Sequence, residues 1–247
     1  MVVKSQLKFI KSLYQKKYRI QNGLFIAEGK KVVSELMNSK FKIHSIYSTD
    51  PQFKANNKVK VHTISEKDLT RISSQKSPNK LLGIFEIPEV DDVDFSDWVV
   101  ILDAIQDPGN LGTIIRLCDW FGIAHLICSS DTVDCYNPKV LQATMGSIAR
   151  VNIVYTDIAE LLDKKANGAF GTYMNGNSVF SVKLPEKGLL ILGNEGKGIS
   201  EKVGLMINND NRLSIPQYGK KTAESLNVAT ATAIFLSEIR RSQTVTK

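Results

Sequence analysis

Leu189-Leu190-Ile191-Leu192 is a run of four aliphatic residues with no polar interruption. A strand of that kind is buried on both faces, so the sheet that holds it lies between two other layers. The run then breaks into Gly193, Gly196 and Gly198, interleaved with Glu195 and Lys197. Glycines at the carboxyl end of a buried strand permit a tight turn and close approach of backbone to a ligand. Ser200 stands where it can cap a short following helix. The spacing fits neither standard phosphate loop: Gly198 is followed by Ile199 where a P-loop needs Lys, and the dinucleotide order is reversed. The stretch alone leaves a ligand loop and a plain strand-to-helix turn both open.

The rest of the chain supplies partners for such a strand. From Trp98 onward, strands are expected at 98–103, 125–128, 151–155, 170–174, 189–192 and 212–216, the fourth ending in Asn175-Gly176-Asn177. Helices are expected between them at 111–121, 137–146 and 157–164, and after them at 225–240. Asn110 is placed as the N-cap of the first and Gly122 as its stop. Repeated strand–helix order predicts a mostly parallel, doubly covered sheet. Residues 1–87 carry a second alternation. A lysine-decorated amphipathic helix over 5–20 buries Leu7, Ile10, Leu13 and Tyr14. It precedes strands at 23–27, 43–47, 59–64 and 83–87, with helices at 29–38 and, capped by Ser65, at 66–72. The acidic, turn-prone Pro88–Asp97 separates the two. The expected domains are a basic 1–90, a linker 91–97, and 98–247.

Charge is divided along the same line. The net charge is +7, yet residues 1–90 hold 17 basic and 7 acidic residues against 15 and 18 in the remainder. An excess confined to one unit points to a polyanionic partner, with nucleic acid foremost, and a solvated lysine surface as the plainer reading. Lysines beside Tyr14 and Tyr18 suit RNA backbone and bases. Three cysteines, Cys118, Cys128 and Cys135, and no export signal indicate reduced thiols in a cytoplasmic protein. His44, His62 and His125 have no metal-ligand spacing, and no apolar run is long enough to span a membrane.

Three segments in order, LDAIQDPGNLGTIIRLCDWFG (102–122), ILGNEGKGIS (191–200) and SIPQYGKKTAESLNVATATAIFLSE (214–238), together resemble the SpoU/TrmH family of RNA 2′-O-ribose methyltransferases, in the SPOUT class. The third departs from shorter forms by two residues within Lys220–Glu224. The resemblance implies a small N-terminal α/β RNA-binding module and a C-terminal mostly parallel α/β SPOUT domain with a deep trefoil knot. It implies S-adenosylmethionine as methyl donor, held at Gly193, Ile215, Leu226 and, less directly, Thr172. It implies Arg116 as the catalytic centre, supported by Asn110, Glu195, Ser225 and Asn227. It also implies a homodimer, no metal, and ribosomal RNA as substrate ahead of transfer RNA. A catalytically silent RNA-binding or assembly protein of the same fold, and a nucleotide-dependent α/β enzyme using the glycine loop for phosphates, are the alternatives.

Overall fold

The computed structural model describes residues 2–55, 59–165, 168–219 and 225–245. The chain begins with α1 (Lys4–Ser12), α2 (Lys16–Asn22), β1 (Leu24–Glu28), α3 (Lys30–Met37), β2 (Ile43–Ser48), β3 (Val61–Thr63), α4 (Glu66–Ile72) and β4 (Leu81–Glu86). It continues through β5 (Val99–Asp103), α5 (Pro108–Trp120), β6 (His125–Cys128), α6 (Pro138–Thr144), β7 (Asn152–Tyr155) and α7 (Ile158–Lys165). It ends with β8 (Ala169–Ser178), β9 (Leu189–Gly193), α8 (Glu201–Gly204), β10 (Arg212–Ser214) and α9 (Val228–Val245). Two compact units result. One is the chain up to Glu89 together with Asp134–Arg150, and the other is Val90–Val133 with the chain from Val151.

In the first unit, β4 pairs antiparallel with β1 and β2, and β2 pairs parallel with β3, in the order β1-β4-β2-β3. Alternation along the strands splits the core between the two faces of this sheet. Ile26, Leu82 and Ile84 pack with Ile10, Leu13, Leu69 and Ile72. Phe25 and Phe85, opposite each other in the register, turn the other way. There Phe25 meets Phe41 and Tyr136, with ring centroids 5.5 and 4.6 Å apart. Tyr136 shows why Asp134–Arg150 joins this unit, an excursion that local sequence pattern does not reveal.

The single helix expected over 5–20 is two helices, because Arg19 is buried. Its Nη1 donates to the carbonyls of Leu13 (3.1 Å) and Tyr14 (2.9 Å), which an unbroken helix would have bonded to amides four residues on. Its Nε donates to Asp134 at 3.1 Å. Arg19 is therefore a structural cation and not one of the exposed basic residues. Tyr14 is also structural. Its hydroxyl donates to Glu28 (2.9 Å) and to the Ile72 carbonyl (2.8 Å), and burial followed by the Glu28 charge pushes its pKa far above the ordinary phenol value.

In the second unit all strands are parallel, in the order β10-β8-β9-β5-β6-β7. The chain lays down β5, β6 and β7 outward, crosses to β8, and returns to place β9 between β8 and β5. Ligands of open parallel sheets sit beyond the carboxyl ends of the strands where such a reversal occurs. β9 is buried as its aliphatic run requires, Leu190 to Leu192 being fully covered. The stretch expected as a linker is docked on this unit. Val93 and Phe95 pack against its core, and Asn152 exchanges hydrogen bonds with Asp91.

Three local expectations need correcting. The strand expected to end in Asn175–Asn177 runs through to Ser178, because β10 pairs on β8 there, Leu213 against Asn177 and Ser214 against Ser178. Gly176 allows that approach, since a Cβ would lie 2.5 Å from the Arg212 carbonyl. The N-cap of α5 is Asp107, whose carboxylate accepts from the Asn110 amide at 2.8 Å; Asp-Pro at the helix start is the stronger signal. Ser200 occupies the cap position of α8, but its side chain makes no cap bond. At the far end, α9 is anchored by Arg240, which pairs with Asp97 through both nitrogens and donates to the carbonyls of Phe121 and Gly122.

Candidate active site

The carboxyl ends of β5 and β9 lie side by side, Asp103 in register with Gly193. The buried Asp103 carboxylate accepts from the Ser200 amide at 2.7 Å, which ties the glycine loop back to the end of β5. The next residue, Ala104, has φ of 60°, a conformation uncommon for a residue with a side chain. It is held at both ends: its N–H donates to Ser129 Oγ, and its carbonyl accepts from Asn194 Nδ2, each at 2.8 Å. Strain of this kind persists only where the surroundings over-determine it.

Asn194 also organises the loop after β9. Its Oδ1 accepts from the amides of Gly196 and Lys197, and its backbone exchanges two hydrogen bonds with Gly198. Gly193 is required because a Cβ there would sit 2.1 Å from the Gly198–Ile199 peptide. That glycine makes room for its own loop. Gly196 remains open, since a Cβ there would meet nothing nearer than 3.7 Å. Asn194 is the functional residue that reading for chemistry misses. The signal for it is local: an Asn before Glu-Gly at a strand end is a side-chain-templated turn.

Capping by Asp107 frees the Asn110 side chain. Its Nδ2 donates to Glu195 Oε1 at 3.0 Å, and its Oδ1 accepts from Asn227 Nδ2 at 2.9 Å. Asn227 Oδ1 in turn accepts from the amides of Ala229 and Thr230, capping α9. The donor directions are thus fixed from α9 to α5 to the glycine loop. The Asp107 amide approaches the same Glu195 oxygen at 3.4 Å, so Glu195 is occupied in fastening loops.

The structure therefore brings together Asn110, Glu195 and Asn227. Arg116 is not joined to them. It is exposed on the solvent face of α5, six residues beyond Asn110, and forms no hydrogen bond or ion pair among the described residues. Ser225 is exposed and likewise unbonded to the three. Thr172 follows Gly171, the last β8 residue paired with β9, and half-buried Ile215 follows β10. Leu226 is 49% exposed, a large apolar side chain set between Ser225 and Asn227. The Lys220–Glu224 departure lies outside the described residues. Among the described residues no group of three or more His, Cys, Asp or Glu is placed to hold a metal ion.

Comparison with known proteins accounts for this arrangement. The SpoU rRNA Methylase family matches residues 97–237, and the MRM3-like substrate binding domain matches residues 4–83. The 23S rRNA (guanosine(2553)-2′-O)-methyltransferase RlmP of Bacillus subtilis is 31% identical over 237 residues, 93% of this chain and 94% of its own. An AdoMet-bound rRNA methyltransferase from Sinorhizobium meliloti superposes with a TM-score of 0.86 at 28% identity, covering 98% of this chain and 97% of its own. A TrmH-family protein from Porphyromonas gingivalis does so at 0.88 and 36%, covering 98% and 99%. With the three motif segments folded into one set of loops beyond β5, β8, β9 and β10, the chain belongs to the SpoU rRNA methylase family.

Proposed function

We propose that the protein transfers a methyl group from S-adenosylmethionine to a ribose 2′-hydroxyl of ribosomal RNA. The observation that carries this reading is the directed chain Asn227–Asn110–Glu195, which links all three motif segments at the carboxyl edge of a parallel sheet.

The residues present suit the methyl donor. Leu226 and Ile215 offer apolar cover for an adenine, and the ends of β8, β9 and β10 offer main-chain donors and acceptors. Thr172 and Gly193 would border the same space. When bound, S-adenosylmethionine supplies a methyl on a sulfonium whose leaving group departs neutral. What remains for the chain is to position the ribose and stabilise charge on its 2′-oxygen as the hydroxyl proton leaves to solvent. Asn110 and Asn227 would orient that hydroxyl, together with Ser225. Glu195 holds the loop. Arg116 carries a planar guanidinium with several donors, so its role is to bind the neighbouring phosphate and stabilise the developing alkoxide.

A homodimer completes the proposal. Arg116 is exposed and bonded to none of the three site residues, and an identical second copy is the simplest way to bring it to a site. The trefoil knot belongs to the same reading, supported by insertion of β9 between two strands laid down before it. Cytoplasmic residence is supported by three buried cysteines, none of which is in a disulfide. Among the described residues, no helix is long and apolar enough to cross a membrane.

The test is transfer of labelled methyl from S-adenosylmethionine to purified ribosomal RNA, followed by alkaline hydrolysis. Label is expected in alkali-resistant dinucleotides, the mark of a blocked 2′-oxygen. Label on a base, or none, refutes the reading.

A further inference from the structure

The first 27 residues contain no Asp or Glu. Their six cations are Lys4, Lys8, Lys11, Lys16, Lys17 and Arg19, and only Arg19 is buried and paired. The five lysines are exposed on α1 and α2, and none of them forms an ion pair among the described residues. Between these helices opens a groove of about 610 Å³, lined by Lys8, Phe9, Lys11, Gln15 and Tyr18.

The groove is built, not incidental. Arg19 bonds the Leu13 and Tyr14 carbonyls where α1 ends and so separates it from α2. Phe9 is half-buried against the core and 6.3 Å from the His44 ring, so its ring is braced. Tyr18 is half-buried, and its hydroxyl makes no hydrogen bond among the described residues. Two aromatic side chains, an amide at Gln15 and unpaired lysines make a surface for a flat, polar-edged ring attached to phosphate. A double helix keeps its bases stacked and out of reach, whereas an unpaired nucleotide exposes its face.

Resting on the reading that the substrate is RNA, we infer that this groove binds unpaired nucleotides of that RNA. Tyr18 and Phe9 supply stacking surfaces, Gln15 meets a base edge, and Lys8 and Lys11 neutralise phosphates. Duplex RNA gains only the lysine contribution.

The test uses the full-length protein with a labelled, unstructured oligoribonucleotide of about 12 nucleotides, and with the same strand annealed to its complement, both by fluorescence anisotropy. Tyr18→Leu is expected to weaken single-strand binding roughly tenfold while duplex affinity moves less than about twofold. Tyr18→Phe retains the ring and is expected to bind as the unaltered protein does. Lys8→Gln with Lys11→Gln is expected to weaken both RNAs and lower the salt slope by about two. Equal loss of both RNAs in Tyr18→Leu, unchanged single-strand affinity in that variant, or loss in Tyr18→Phe would each overturn the stacking role. If the unaltered protein methylates ribosomal RNA and Tyr18→Leu still binds the single strand normally, the groove fails alone. If it binds neither RNA nor S-adenosylmethionine, the reading beneath it fails as well.

Discussion

Glu28 in the first unit and Glu195 in the second are both carboxylates surrounded by donors, and they behave as opposites. Glu28 is buried and accepts from Tyr14, Ser73 and the amide and hydroxyl of Ser74. Each of those donors belongs to the same small core, so the group is a closed circuit. Glu195 is exposed and accepts from Asn110 at the start of α5 and, more distantly, from the Asp107 amide and Asn194, all at the carboxyl edge of the sheet. The two arginines repeat the contrast. Arg19 has its guanidinium spent on two carbonyls and a carboxylate, while Arg116 spends none of its donors within the described chain. Polar groups that serve the fold are saturated from within, and those left open at a surface are the candidates for work on something outside.

The sharpest way to break that contrast is to mix two inactive variants. Arg116→Ala and Asn110→Ala should each fold, since neither side chain caps α5, yet each should lose methyl transfer by about 10²-fold or more. If Arg116 acts on the partner's site, mixed dimers hold one intact site, and co-expression should restore about a quarter of normal activity. No recovery means Arg116 serves its own chain. Next in size, Glu28→Ala strands several buried donors and should cost roughly 3 kcal/mol in urea unfolding while activity per folded molecule holds. Glu195→Ala should do the reverse, shifting stability by less than about 1 kcal/mol and lowering kcat about tenfold. Equal stability losses in these two variants would abolish the distinction.

The smallest effect concerns Asp97. Burial alone would raise its carboxyl, but hydrogen bonds from Arg240 and the Trp98 amide and the Arg240 charge outweigh it and hold the pKa below the ordinary 3.8. A group depressed in the folded state stabilises above its unfolded value and loses that contribution as the pH falls. Asp97→Asn should therefore lower unfolding stability slightly at neutral pH, by less than about 1 kcal/mol for a pair this exposed. The difference should vanish as the pH falls below 3.8.

Much of this is legible in the sequence, for physical reasons. The aliphatic run at Leu189–Leu192 announces a strand covered on both faces, and Ser65 before Glu66 announces a capped helix, because both signals are local. The site is legible as three segments whose resemblance to a family fixes their order. What stays hidden depends on distant partners. No periodicity tells that Arg19 meets a carboxylate 115 residues away, so a buried cation passes for a surface one. Asn110 reads as a cap by its position, although Asp107-Pro108, only three residues earlier, competes for that place and takes it. Gly193 reads as an opening for a ligand until the path of Gly198 and Ile199 fills the space.

Ala104 can serve as a gauge of whether the catalytic edge is assembled. Its left-handed backbone costs of order 1–3 kcal/mol, sustained by Ser129 at one end and Asn194 at the other. When either tether lets go, the residue relaxes and its amide meets water. Hydrogen exchange at that single amide should therefore slow when ligand closes the loops and quicken when Asn194 is replaced, reporting local opening in a region whose strands stay folded.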